Sequence, residues 1–370
     1  MQGEMAELQP ARDGWKQMIV RGLYRTGLLR AFHGFSDRYE LRPDAGRGAQ
    51  LRRVRKAKYV ILGYHRVGVE GVPLYCPLSQ QVFAEQMQYI ARHHRVISVR
   101  QMAEELENSD GSGQAVVVTF DDGYLGTYTE AFPILEKYKI PATVYLTAGA
   151  IDSGEISWYD RVFLQFQKAS SELTLMLDSA RTYRLSTYAR RIEAAADVLM
   201  YLRSLPDEER QAWCKDFERM IPLQPAEVRG AMMSWEQVRS MQRAGICFGA
   251  HTITHPVVSR LKPEALSREI AGSKRLIEHE TGTAVEHFAF PFGKPSDCGT
   301  GGSQILGKLG FRTAVTTIVG LNELGADLFR LRRIVVGIDG SIANFAFQLH
   351  RLFFHPVDEE QLQMANAPIS

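Results

Sequence analysis

The chain has 370 residues, of which 45% are hydrophobic, and a formal net charge of +2 at pH 7. This length and composition allow one large hydrophobic core, or one core with a smaller attached domain. The near-balanced charge argues against a polyanion-binding protein, so no nucleic-acid partner is expected. The four cysteines lie far apart without a CxxC pair, which predicts reduced thiols and a cytoplasmic location.

The N-terminal segment 15–32 mixes apolar and basic side chains. Such a segment could lie on a membrane surface, which would place the protein at the inner face of the membrane. Gly22 and Gly27 weaken it as a helix, and its charges do not share one face, so packing on the main domain is the alternative. Residues 1–12 are polar and no long apolar stretch follows, so neither a signal peptide nor a transmembrane helix is expected.

The first core strand is predicted at residues 59–63, an apolar run that ends in Tyr64 and His65. In parallel α/β folds, ligands and catalytic groups collect at the carboxyl ends of strands, where loops vary over a packed core. Tyr64 and His65 are therefore candidates for a functional rim. The alternative is that His65 only fills a polar turn.

A later strand end carries the sequence TFDDG, residues 119–123. The β-branched and aromatic run before it is typical of a buried strand, so Asp121 and Asp122 lie where that strand stops. Gly123 allows a tight turn beside a ligand. An Asp-Asp-Gly sequence in this position often forms only a turn that caps the next helix, and that interpretation stays open.

Strand and helix patterns alternate along the chain except between Trp158 and Met233. There, a small hairpin is followed by two amphipathic helices, which indicates a mainly helical insertion over the rim of the site. Trp158 and Tyr159 at its start could line a glycan subsite, because aromatic faces stack on sugar rings, or they could anchor the insertion. Asp160 could bind a sugar hydroxyl or cap the following helix.

The sequence HTITH, with His251 and His255 four residues apart, ends another short apolar run. Two such histidines face a single ion if the backbone coils between them, and imidazole is the commonest metal-donor side chain. Together with Asp122 they make three protein ligands, the usual number in a catalytic zinc site. Zinc is the expected cofactor, although iron, cobalt or nickel would accept the same ligands. The alternative is a solvated histidine pair on the surface.

These motifs resemble those of the polysaccharide deacetylases of the NodB-homology type, carbohydrate esterase family four. TFDDG is the first motif of that family, and HTITH matches its second, His-Ser/Thr-x-x-His. The resemblance implies that Asp122, His251 and His255 hold the metal and that Asp121 is the general base.

The third motif of the family is usually close to Arg-x-Pro-Tyr-Gly, and its Arg orients the catalytic Asp. Here Pro291, Phe292 and Gly293 keep the turn and are candidate substrate contacts, but Ala289 stands where the Arg is expected. The orienting group is therefore absent or comes from elsewhere.

The late motif of the family normally brings a catalytic histidine, but residues 328–336 contain none. The early Tyr-His-Arg-Val sequence resembles the branch of the family that acts in exopolysaccharide synthesis. That resemblance implies that His65 replaces the missing histidine as general acid.

The fold predicted from these patterns is α/β, a distorted (β/α)7-8 barrel of the NodB type with a mainly helical insertion and an N-terminal extension. The expected divisions are the extension and linker 1–57, the barrel 58–355, the insertion 158–233 and the tail 356–370.

The function implied by the resemblance is metal-dependent removal of an N-acyl group, with acetyl expected, from an amino sugar of a polysaccharide or lipid-linked saccharide. An allantoinase-like hydrolase of a small cyclic amide is one alternative, which a closed pocket would favour. A non-catalytic metal or glycan binder is another. Both TFDDG aspartates are retained, which speaks against the binder, because a binder needs no base beside its metal. The sequence makes no prediction of oligomeric state.

Overall fold

The computed structural model describes residues 57–68, 78–108, 113–153, 155–228, 230–299, 301–337 and 341–354. The predicted membrane-contacting segment 15–32, almost all of the extension 1–57 and the tail 356–370 lie outside them. None of the helices within the described ranges combines the length and apolar character that a membrane crossing needs.

The strands in chain order are β1 (Lys58–Tyr64), β2 (Arg95–Ile97), β3 (Gln114–Phe120), β4 (Ala142–Leu146), β5 (Glu172–Met176), β6 (Ala180–Arg184), β7 (Cys247–Ala250), β8 (His287–Ala289), β9 (Thr313–Val315), β10 (Asn322–Glu323) and β11 (Ile334–Val335). Nine of them form one sheet in the order β10-β1-β3-β4-β7-β8-β9, with β11 beside β1 and β2 beside β3. Within this sheet, β10 pairs antiparallel with β1, and the other described pairings are parallel.

The two ends of this sheet approach each other through the segment that leads into β11. Val315 of β9 forms a parallel bridge with Leu331, and β11 then pairs with β1. The sheet therefore curls into a barrel, which confirms the predicted distorted (β/α) architecture.

The helices are α1 (Gln80–His93), α2 (Val99–Asn108), α3 (Phe132–Tyr138), α4 (Trp158–Lys168), α5 (Tyr188–Ser204), α6 (Asp207–Met220), α7 (Pro225–Val228), α8 (Trp235–Arg243), α9 (Pro263–Thr281), α10 (Pro295–Cys298), α11 (Gly301–Lys308) and α12 (Ile342–Phe354). Ser234 and Gln237 form the predicted capping box of α8. Pro263 begins α9, which ends at the left-handed Gly282, also as predicted.

Side chains alternate along β3 between two hydrophobic layers. Val116 and Val118 pack between the sheet and the helices, whereas Ala115 and Val117 belong to an inner cluster with residues of β1, β4, β8 and β9. Asp121 continues the inward-facing series just beyond the strand. The period of two therefore directs this carboxylate to the mouth of the barrel.

The predicted insertion contains α4, the β5-β6 hairpin, α5, α6 and α7. Its helices and hairpin pack around a hydrophobic cluster of their own, to which Phe163, Phe166, Leu202 and Phe217 contribute. This cluster makes the insertion a compact unit beside the barrel. The start of α4 faces the functional rim.

Candidate active site

Asp122, His251 and His255 converge at the carboxyl ends of β3 and β7, and their ligand atoms all lie within 4.8 Å of one another. The Nε2 atoms of His251 and His255 lie 3.5 and 3.4 Å from Oδ1 of Asp122. That oxygen is buried and has no hydrogen-bond partner among the described residues. Two imidazoles and a carboxylate aimed at one point fit a divalent cation that keeps a coordination position open.

The electrostatics of this cluster also fit a cation. Burial lowers the pKa of His251 to about 4 and that of His255 well below its usual value, so both rings are neutral at pH 7, as metal ligands must be. Burial, followed by the negative charge of Asp121, raises the pKa of Asp122 to about 8. A cation beside Asp122 would supply the positive charge that keeps this carboxylate ionised at neutral pH.

The ring of His251 is held from behind by the backbone of β8. Nδ1 of His251 lies 2.7 Å from the carbonyl oxygen of Ala289, so Nδ1 carries the proton and the lone pair of Nε2 is free to bind a cation. Ala289 occupies the position where the family has an Arg. The backbone carbonyl of Ala289 thus holds the His251 ring without any side chain.

Several residues around the two histidines have an unusual backbone conformation. Asp122, Thr252, His255 and Phe292 all have positive φ, between 58° and 71°, which non-glycine residues adopt at a cost. Oγ1 of Thr252 accepts a hydrogen bond from the His255 amide at 3.0 Å. Such strain persists where surrounding contacts impose it, and its concentration here marks a functional site.

Glu269 on α9 provides one of those contacts, which no sequence motif indicated. Its Oε2 accepts hydrogen bonds from the backbone amides of Ile253 and Thr254, at 2.8 and 3.0 Å, and its Oε1 accepts from the Thr254 hydroxyl. A carboxylate that accepts from consecutive amides fixes the loop between the two metal ligands.

Replacing Glu269 by Ala is expected to weaken both metal binding and stability. The change removes the acceptors of three donors, and each unsatisfied group costs about 1–3 kcal/mol unless water reaches it. Thermal unfolding of the metal-free and zinc-loaded protein would measure both effects. Glu264→Ala, on the same helix but outside these contacts, is the control, and equal behaviour of the two variants would contradict the role of Glu269.

Arg333, just before β11, supplies the partner of Asp121 that the sequence analysis could not locate. Its Nη1 donates to Oδ1 of Asp121 at 2.7 Å, and its Nη2 donates to Oδ2. Nε of the fully buried Arg333 donates to the carbonyl of Thr316 at 2.7 Å. Burial alone would raise the pKa of Asp121, but the guanidinium holds it well below its usual range. Asp121 is therefore an ionised carboxylate fixed beside Asp122, His251 and His255, which we call the metal cluster.

His65 reaches the same rim from the end of β1. Its Nε2 lies 3.6 Å from Oδ2 of Asp121, and its side chain is 41% exposed. Partial burial lowers the pKa of His65, and the negative Asp121 opposes this shift. The imidazole thus lies between the fixed carboxylate and the outside, where a substrate would enter.

Tyr64, a predicted substrate contact, does not face the site. Its buried hydroxyl donates to Gln86 at 2.9 Å, and its ring packs against Phe83 and Phe120. Because neighbouring residues of β1 face opposite sides of the sheet, Tyr64 points to the helices while His65 points to the rim. The prediction that Tyr64 contacts the substrate is therefore wrong.

Of the predicted contacts in the Pro291-Phe292-Gly293 turn, only Phe292 presents its side chain to the metal cluster. Its ring lies 4.9 Å from the ring of His255. Pro291 and Gly293 are buried and shape the turn. A Cβ added at Gly293, where φ is +71°, would lie 2.7 Å from the Thr317 amide nitrogen, so the position requires glycine.

Asp160 lies in the first turn of α4, but its side chain is buried and bonded to barrel residues, so the two sequence-based interpretations of it, as a sugar contact and as a helix cap, are wrong. Its buried carboxylate accepts a hydrogen bond from the Tyr124 hydroxyl at 2.7 Å and pairs with Arg66 at 3.2 Å. Trp158 and Tyr159 are half-buried against His255 and Phe292. Both rings thus contact residues of the site, and their part in a glycan subsite stays a prediction.

Residues 108–314, more than half of the chain, match the family model described as polysaccharide deacetylase. A sequence relative, YxkH of Bacillus subtilis (strain 168), is 20% identical over 297 residues, which are 79% of this chain and 77% of YxkH.

Solved structures show the same fold. The Streptococcus pyogenes deacetylase PplD, in complex with acetate, matches with a TM-score of 0.55 and 20% identity, over 81% of this chain and 100% of that chain. IcaB from Ammonifex degensii matches with a TM-score of 0.50 and 22% identity, over 78% of this chain and 96% of that chain. At this level of identity the likeness establishes the fold.

Proposed function

Since the chain belongs to the polysaccharide deacetylase family, we propose that it is a metal-dependent hydrolase that removes the N-acetyl group from an amino sugar of a polysaccharide or lipid-linked saccharide. One observation carries this proposal. The carboxylate of Asp121, kept ionised by Arg333, lies next to three converging metal ligands. A protein that only bound a metal or a glycan would gain nothing from a buried, ion-paired base in that position.

Asp122, His251 and His255 would hold the cation, for which we propose zinc, with cobalt, nickel and iron also compatible with these ligands. When bound, such a cation polarises an amide carbonyl and lowers the pKa of water to about 7. Asp121 accepts the proton of the attacking water, because Arg333 keeps it ionised at neutral pH. The water oxygen forms the new bond to the amide carbon as this proton leaves. The proton passes from Asp121 to His65, whose Nε2 lies 3.6 Å from Oδ2 of Asp121, and His65 delivers it to the amine nitrogen as the C–N bond breaks.

Measuring acetate release tests this function. The purified protein is incubated with N-acetylhexosamine oligomers and with lipid-linked N-acetyl sugars, with and without a chelator. We expect release that the chelator stops and that added zinc restores. Release that persists in excess chelator would contradict the metal dependence, and a lack of release from all these saccharides would contradict the substrate class.

His65→Ala is expected to reduce acetate release by about 10²- to 10⁴-fold, the usual contribution of a positioned acid or base. Zinc content is expected to stay unchanged, because His65 lies outside the three-ligand cluster. Activity and bound zinc are measured on the same preparation. His279→Ala, at an exposed position on α9, is the control. Full activity of the His65 variant would rule out this role.

We further propose a cytoplasmic location with contact to the inner membrane face through residues 15–32. The scattered cysteines and the mixed apolar and basic composition of that segment support this proposal. Pelleting with anionic vesicles is expected for the full chain. Equal pelleting after deletion of about the first 35 residues would contradict it.

A further inference from the structure

The two histidines of the metal cluster differ in how their rings are held. Nδ1 of His251 contacts the Ala289 carbonyl, but Nδ1 of His255 is buried and has no hydrogen-bond partner among the described residues. Metal-binding histidines normally have their second ring nitrogen held by an acceptor, which fixes the orientation of the ring. His255 also has a φ of +58°. Other contacts must therefore hold both its backbone and its ring.

The insertion provides these contacts through the first two residues of α4. Nε1 of Trp158 donates a hydrogen bond to the His255 carbonyl at 3.0 Å. The ring of Tyr159 lies 4.8 Å from the His255 ring, and Phe292 lies 4.9 Å from it. The backbone of His255 is thus tied to one insertion residue, and its imidazole packs against the next.

The hydroxyl of Tyr159 connects the start of the insertion to the barrel. It lies 3.1 Å from the hydroxyl of Tyr124, whose own proton is donated to Asp160 at 2.7 Å. Tyr159 is therefore the donor in its hydrogen bond with Tyr124, which fixes the orientation of its ring beside His255.

The barrel fixes this arrangement through Arg66, the residue after His65. Its guanidinium pairs with Asp160 at 3.2 Å and lies 4.1 Å above the centre of the Tyr124 ring. The negative charge of Asp160 is thereby compensated, although the residue is buried. The first turn of α4 is consequently locked to the barrel by a paired charge and two phenol hydroxyls.

We propose that Trp158 and Tyr159 are positioning residues for the metal ligand His255, so that the insertion, together with the barrel, sets the affinity of the site for its cation. This inference rests on the metal-dependent function proposed above. It assigns the insertion a role in metal binding, in the place of the glycan subsite considered from the sequence.

Trp158→Phe and Tyr159→Phe test the proposal, because each keeps an aromatic ring and removes a single donor. The insertion also offers matched controls far from the metal cluster. Nε1 of Trp213 donates to the Met176 carbonyl at 3.2 Å, and the Tyr183 hydroxyl donates to Asp197 at 2.6 Å. Trp213→Phe and Tyr183→Phe therefore remove the same donor types from the same subdomain.

The readout is the zinc affinity of the metal-free full chain, measured by competition with a chromophoric chelator. We expect Trp158→Phe to bind zinc about 10- to 100-fold more weakly, the usual effect of losing a partner of a metal ligand. Tyr159→Phe is expected to have a smaller effect in the same direction, because its ring contact with His255 remains. The control variants are expected to bind zinc like the wild type. Tyr124→Phe combined with Tyr159→Phe is expected to lose less than the product of the two single losses, because both hydroxyls act in one network.

Unchanged affinity in both site variants would overturn the inference. Equal losses in the site and control variants would also overturn it, because they would indicate general loosening of the insertion. The assay needs no substrate, so it separates this inference from the proposed function. A wild-type protein that binds no zinc would contradict the metal site itself, whereas zinc binding without acetate release would contradict only the deacetylase function.

Discussion

Arg333→Ala is expected to lower acetate release by at least about 10²- to 10⁴-fold, the range for loss of a positioned base. Arg333 makes both hydrogen bonds that fix the Asp121 carboxylate, and it is the charge that opposes the effect of burial on the pKa of Asp121. Without the guanidinium, burial would favour the protonated acid, which cannot accept a proton from water.

The same substitution is expected to destabilise the fold. Removing one partner of a buried ion pair costs about 3–5 kcal/mol, because the other charge stays buried without compensation. Asp121→Asn in the Arg333→Ala background is therefore expected to recover part of this stability but none of the activity.

The design includes two controls. Arg332→Ala removes the neighbouring guanidinium, which lies beside Gly320, and is expected to retain activity. Arg333→Lys keeps the charge but loses the two-pronged geometry, and only weak recovery is expected. Chemical denaturation and acetate release are measured for all variants. Wild-type activity in Arg333→Ala would exclude its role in holding the base.

Asp122→Asn is expected to abolish zinc binding and acetate release, and yet to stabilise the metal-free protein. Burial and Asp121 raise the pKa of Asp122 from 3.8 to about 8, so ionising this group is unfavourable in the folded state. Asparagine keeps the shape of the side chain and removes the charge. Stability and activity therefore change in opposite directions at one residue.

A pH dependence follows from the sign of this shift. Between about pH 4 and pH 8 the unfolded chain has released the Asp122 proton while the folded metal-free protein retains it, so stability falls as the pH rises. The lowered pKa of His251 makes stability rise with pH, but only below pH 6.5, the ordinary pKa of histidine. Between about pH 6.5 and 8, Asp122 should thus reduce stability by up to about 1.4 kcal/mol per pH unit.

Denaturant unfolding of the metal-free wild type and of Asp122→Asn across this pH interval checks the prediction. The expected result is a downward slope that the variant lacks and that saturating zinc removes from the wild type. Parallel slopes for the wild type and the variant would show that Asp122 is not the titrating group.

Much of the site could be predicted because its ligands belong to short motifs at strand ends. The apolar runs before Asp121 and His251 fix where β3 and β7 stop, and parallel strands bring those ends to one rim. His65 follows from the same reasoning applied to β1. Local sequence therefore determined which residues meet there.

Arg333 could not be predicted in the same way, because its pairing with Asp121 joins strands far apart in the chain. The sequence lacks an Arg at Ala289 and has several arginines before β11, but no local pattern connects the two. One signal was present. A Cβ at Gly63 would lie 3.3 Å from the Arg333 side chain, so a glycine in the apolar strand β1 marked space for a large neighbour.

The roles of Trp158, Tyr159 and Asp160 were also beyond the sequence, for a different reason. A side chain that binds a sugar and one that anchors a subdomain have the same composition and the same place in the chain. Asp160 is buried whereas Trp158 and Tyr159 are half-buried, and this difference depends on how the insertion docks against the barrel.

The barrel closes through the segment around Leu331, and this has a consequence for biosynthesis. The N-terminal part of a nascent chain folds first, so β3 with Asp121 leaves the ribosome long before residue 333 exists. Until the late segment is synthesised, the interior of the barrel lacks Leu331 and Asp121 lacks the guanidinium of Arg333. The complete active site therefore forms only late in synthesis. A chain truncated before β11 would lack Arg333 and is expected to be inactive.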